Sequence, residues 1–133
     1  LKKPKYQNMT NFRDFPAWAQ ALARQDDDKR PTKLAMYCTG GIRCEKASVV
    51  MMDAGFSNVK QLKGGILGYF EEVGGDYWQG DCFVFDRRVA LSPKLEETDV
   101  VQCYACREPL LVEEQTTGDY VIAQSCPYCV DKQ

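Results

Sequence analysis

Leu34-Ala35-Met36-Tyr37-Cys38-Thr39-Gly40-Gly41-Ile42-Arg43-Cys44-Glu45-Lys46-Ala47 changes pattern twice within a few residues. Leu34 to Tyr37 is a nearly continuous apolar run, the pattern of a short strand buried on both faces. It stops at Cys38. Two glycines then let the backbone turn tightly, and Thr39 to Arg43 do not continue the strand. From Cys44 to Ala54 the spacing of Ala47, Val50 and Met51 is helical, with Glu45 in the first turn and Gly55 as the C′ residue.

The same unit recurs once, downstream, and a single helix precedes both. Upstream, Asp14 is placed to cap a helix that has Pro16 in its first turn and Trp18, Ala19, Leu22 and Ala23 on one face. The charged run Asp26 to Arg30, closed by Pro31, ends that helix as a solvated loop. Downstream, Val59 to Leu62 reads as a second strand. Gly64-Gly65 leads into a helix at about Ile66 to Val73, stopped by Gly74-Gly75. Strand, loop and helix repeated with short joints predict an α/β fold with parallel strands. Cys82 to Asp86 is a β-rich run with Cys82 buried in it, and residues 89 to 102 read as irregular, with a turn at Ser92-Pro93.

The chain has 133 residues, a formal charge of −2 and no histidine. Triads, Cys–His pairs and His-ligated metals are therefore excluded within it. A strongly basic nucleic-acid footprint is absent; Lys2-Lys3-Lys5 and Arg87-Arg88 are small clusters that read as solvated surface. The apolar stretches fall far short of the roughly 18 residues that a membrane helix needs. Seven cysteines, an odd number with close pairs, do not suit a secreted disulfide framework and point to a reducing compartment, the cytoplasm or an organelle. The start has no signal-peptide h-region and no methionine, so an excised piece or processed product is expected.

Cys38 is the candidate nucleophile. It sits where a strand ends and a helix begins, beside two glycines and Arg43. Converging N–H groups, the helix dipole and a guanidinium all favour thiolate over thiol. The opposing reading makes Cys38 a small buried hydrophobe at a strand end. Cys44 is either a partner that resolves an oxidised or persulfidated Cys38 or a packing residue of the helix.

Met36 to Ser48 resembles the active-site segment of rhodanese-like domains, and most closely that of the tRNA uridine hydroxylase subgroup. Gln61 to Leu67, Gly80 to Val89 and the cysteine-rich tail match that subgroup too. The resemblance implies Cys38 as nucleophile, Thr39, Gly40, Gly41, Ile42 and Cys44 in the cradle around its anion or persulfide, and Arg43 as the charge. From Cys38 to Arg43 is six residues, the loop length of the sulfurtransferases and one shorter than that of the related phosphatases. The family's upstream strands and N-terminal ferredoxin-like domain are not visible. The expected fold is thus a partial rhodanese-like parallel sheet with flanking helices over residues 1–98, lacking its N-terminal strands. A zinc-ribbon-like unit follows over 99–133.

That tail carries Cys103-Tyr104-Ala105-Cys106 and Cys126-Pro127-Tyr128-Cys129, nineteen residues apart. Two CxxC turns can supply four thiolates to one tetrahedral, structural zinc. Rival readings are an iron–sulfur site and a redox dithiol. Leu110 to Val112 and Tyr120 to Ile122 suit the strands of a small ribbon.

Two functions follow. One is a cysteine enzyme of sulfurtransferase type, or one supporting wobble-uridine hydroxylation, with a sulfur donor or tRNA as partner and further domains of a parent chain beside it. The other is a non-catalytic module whose ribbon binds RNA or protein.

Overall fold

A computed structural model describes Met9 and residues 11–132. The Lys2-Lys3-Lys5 cluster lies outside the described residues. Two compact units divide the chain, Leu1–Ile66 and Leu67–Gln133.

The first unit runs α1 (Phe15–Ala23), β1 (Leu34–Met36), α2 (Ile42–Asp53), β2 (Val59–Gln61) and the start of α3 (Gly65–Glu72). The strands pair in parallel, Leu34 opposite Val59 and Met36 opposite Gln61. Ala19, Met51 and Phe56 form the buried centre, with Trp18, Leu22, Leu34, Met36 and Val59 packed against it. α1 and α2 thus share their apolar stripes with the side of the sheet that carries Leu34 and Met36. This is the mixed α/β arrangement that the pattern of the chain predicts.

Three local expectations are corrected here. Asp14 makes no side-chain cap, because a 3-10 turn over Phe12–Asp14 already holds it in helical conformation. β1 is not buried on both faces: Ala35 is exposed and Leu34 and Met36 only partly covered. Among the described residues the parallel sheet has two strands, too few to enclose β1. α2 begins at Ile42, two residues before the expected start, because Gly41 turns the chain into the helix with φ 91°.

In the second unit Cys82–Phe83 (β3) pairs antiparallel with Ala90–Leu91 (β4), and Val101–Gln102 (β5) with Pro109–Leu110 (β6). The stretch expected to be irregular therefore contains β4, β5 and an isolated bridge from Leu91 to Glu97. Ladders of two residues are too short to show periodicity. Cys82 is buried, as its β-rich setting implies. Within the ribbon-like unit the strands are shorter than the sequence suggests. β6 stops at Leu110, and Val112–Gln115 (α4) is helical because the Glu114 carboxylate accepts the Leu111 N–H at 2.8 Å. Val121 forms only a bridge to Ser125. No helix among the described residues is long and apolar enough to cross a membrane.

Met51, with 1% of its surface exposed, is the largest fully buried side chain of the first unit. Met51→Ala is expected to cost about 2–5 kcal/mol in chemical denaturation. Its exposed neighbour Met52→Ala is expected to stay within about 0.5 kcal/mol.

Candidate active site and cysteine centre

β1 delivers Cys38 to the mouth of a turn, and α2 carries the turn away. Gly41 donates its N–H to Cys38 Sγ at 3.1 Å. Partial burial pushes the Cys38 thiol up. The N–H of Cys44, the Cys44 side chain and the N–H groups of Gly41 and Arg43 outweigh it and hold the thiol below its ordinary range. The amide groups at the start of α2 thus act together on one sulfur, as they do on anions at other helix N-termini. Cys38 remains partly exposed, and Ile42 beside it is 75% exposed, so the loop is open to solvent.

The other loop residues divide by task. Thr39 is half-buried, and its Oγ1 accepts from Arg43 Nη2 at 3.4 Å. The Arg43 side chain thereby spans the loop, while its N–H contributes to the sulfur. Gly41 is favoured by its backbone: its φ is positive, whereas a Cβ there would make only ordinary contact, 3.4 Å from the nitrogen of Gly65. Gly40 has open space around its α-carbon and no positive φ. Cys44 is buried in the first turn of α2. Burial and the neighbouring Cys38 sulfur push its thiol up to about 12. Ser48 Oγ donates to the Cys44 carbonyl at 2.7 Å and reinforces this turn.

Sequence reasoning missed Gly65. The first turn of α3 is pinned to the cysteine loop, because Ile66 N–H donates to the Cys38 carbonyl at 2.9 Å. A Cβ at Gly65 would lie 2.5 Å from the carbonyl oxygens of both Cys38 and Thr39. Only glycine permits that approach. The Gly64-Gly65 doublet was the available signal, since a helix start alone does not need two glycines.

In the second unit the sulfur atoms of Cys103, Cys106, Cys126 and Cys129 all lie within 4.8 Å of one another. Cys106 and Cys126 stand 3.5 Å apart, and Cys126 and Cys129 3.7 Å. A tetrahedral zinc–thiolate centre, with zinc–sulfur bonds of about 2.3 Å, sets its sulfurs about 3.8 Å apart. The donor set therefore fits a metal ion. The N–H groups of Cys106 and Ala105 bring the Cys103 thiol down to about 7 against its own burial. Burial and the surrounding sulfurs drive Cys126 up to about 12. Four neighbouring thiolates repel one another, and a dication is what relieves that repulsion. Leu110 is fully buried against this cluster, with Val101 and Tyr120 beside it. The Tyr128 hydroxyl donates to Glu114, tying the second knuckle to α4.

A protein of Cupriavidus pinatubonensis named tRNA uridine(34) hydroxylase is 50% identical over 125 residues, 94% of this chain. The chain is homologous to a segment of the tRNA uridine(34) hydroxylases. Hydroxylases of the same name from Cupriavidus metallidurans and Prochlorococcus marinus are each 51% identical, over 120 and 124 residues. The chain spans 43%, 42% and 40% of the length of these three hydroxylases. No family model matches it.

Gly65→Ala is expected to force α3 off the Cys38 loop and lower stability by more than about 1 kcal/mol. Gly40→Ala, in open space, is expected to stay within about 0.5 kcal/mol. Paired urea titrations check both. Alkylation rates should show the ionisation of Cys38 directly. With a lowered pKa the thiolate forms on the acid side of an ordinary thiol, so the half-maximal rate is expected below about pH 8.5. Cys44, pushed the other way, is expected to stay unreactive there.

Proposed function

We propose that this protein takes part in hydroxylation of uridine 34, the wobble position of tRNA, with Cys38 as its reactive sulfur. The names of its relatives support the reaction. The observation that carries the residue assignment is the Gly41 N–H aimed at Cys38 Sγ from 3.1 Å, in a loop open to solvent. An ionised sulfur held this way needs no histidine base, and the chain has none. In this reading Thr39 to Cys44 supply the amide cradle, and Arg43, held against Thr39, brings positive charge to the rim where a polyanionic substrate arrives. The Cys38–Arg43 segment belongs to a rhodanese-like domain within residues 1–98.

The four ribbon cysteines, in a unit over 99–133, hold zinc. With four thiolates the coordination sphere is closed, so the ion braces the fold and takes no part in the reaction. A reducing compartment such as the cytoplasm suits both centres, since each needs free thiols.

The test is made in the cell's own copy of the gene. Cys38→Ser is expected to remove the hydroxylated uridine from tRNA digests, read as loss of a nucleoside about 16 Da heavier than uridine. Persistence of that nucleoside at the native level sinks the assignment and favours a non-catalytic module that binds RNA or protein. The six-residue loop favours a second reading, sulfur transfer. There the purified protein makes thiocyanate from thiosulfate and cyanide, and Cys38→Ser abolishes it. For the metal, elemental analysis is expected to give about one zinc per chain, lost in Cys103→Ser together with protection of the tail from protease.

A further inference from the structure

The two cysteines of the loop differ in a way the proposed reaction does not use. Cys38 is partly exposed, whereas Cys44 has 3% of its surface accessible. Cys44 stands at the third position of α2, one turn from Gly41, whose N–H holds the Cys38 sulfur. Side chains of a helix tilt toward its N-terminus, so the Cys44 side chain leans toward the end of α2 where the Cys38 sulfur is held. A small oxidant from solvent therefore meets Cys38 first, and the product forms beside the first turn of α2, which carries a second, sheltered thiol.

We propose that Cys44 is the resolving thiol of Cys38: once a hydroperoxide has oxidised Cys38, Cys44 closes a disulfide with it. The idea rests on the reading of Cys38 as an ionised nucleophile. In the first step the Cys38 thiolate attacks one peroxide oxygen. The O–O bond breaks, Cys38 becomes a sulfenic acid, and the departing alkoxide or hydroxide takes a proton from solvent. In the second step the Cys44 sulfur attacks the Cys38 sulfur. The S–S bond forms, the S–O bond breaks, and the leaving hydroxide takes the Cys44 proton to become water. The two sulfurs together lose two electrons and the peroxide gains two. External thiols reverse the bond by exchange.

The electrostatics order the two steps. In the resting site the Cys38 charge is one of the causes that keep Cys44 protonated, along with its burial. Sulfenic acid formation removes that charge. The Arg43 charge, which favours the Cys44 thiolate, remains, as does the first-turn position. Cys44 is thus inert until Cys38 has reacted, and is released as a nucleophile by that reaction. The bond protects Cys38 from irreversible oxidation and stops its chemistry until a reductant arrives.

Trypsin cuts after Lys33, Arg43 and Lys46, so the two cysteines fall on separate peptides, 34–43 and 44–46. The purified protein is treated with equimolar hydrogen peroxide, its free thiols are blocked, and it is digested without reductant. Peptides 34–43 and 44–46 are expected joined, with a mass about 2 Da below their sum. In Cys44→Ala, Cys38 is expected to gain about 16 and then 32 Da, several-fold faster than in the native protein. A native Cys38 that takes up oxygen without its peptide becoming joined overturns the resolving role and leaves the nucleophile standing. No oxidation of Cys38 while ordinary thiols react overturns both. The joined peptide is read on the native protein, so the outcome does not depend on how well the variant folds.

Discussion

The hydrogen bond from Ile66 N–H to the Cys38 carbonyl, 2.9 Å long, pins the first turn of α3 to the loop between β1 and α2. Without it, β1 and α2 alone would leave the segment between them without a fixed path. The bond exists only because Gly65 carries no side chain, its α-carbon standing against two loop carbonyls. The loop is squeezed from one side by the start of α3 and turned from the other by Gly41. Its amides have little choice of direction, and the direction left to them is toward sulfur. Anion stabilisation of this kind depends on donors already oriented before the charge appears.

The ribbon solves a different problem by different means. Its buried centre is Leu110 and three cysteines, with Val101 and Tyr120 at the margin. Twenty-seven residues from Cys103 to Cys129 cannot enclose an ordinary apolar core. Two-residue ladders and one turn of helix are held in place by sulfur geometry and by the Tyr128–Glu114 contact. Such a segment is specified by the spacing of its knuckles far more than by its secondary-structure propensities.

Legibility in the sequence follows the range of the forces involved. The strand–loop–helix order around Cys38 is plain, because an apolar run, a glycine pair and a helical repeat are local signals. The spacing of the four ribbon cysteines is equally plain, since ligand geometry is written into CxxC turns. Contacts between distant residues are not. Nothing near Gly65 announces that its neighbours are the carbonyls of Cys38 and Thr39. The exposure of Ala35 is hidden because an apolar run looks the same in a two-stranded sheet as in a wide one. Val112, the first residue of α4, reads as strand together with Leu110 and Leu111, since the choice there turns on a single carboxylate at Glu114 reaching back to Leu111.

The four ribbon sulfurs are not equivalent toward water. Cys103, Cys126 and Cys129 are buried, and Cys106 is exposed. An ion held among them is shielded on three corners and approachable at the fourth. A chelator or electrophile would meet Cys106 before the others, so unhooking would begin there. Metal exchange would then begin at this one corner, while the equilibrium would depend on all four sulfurs.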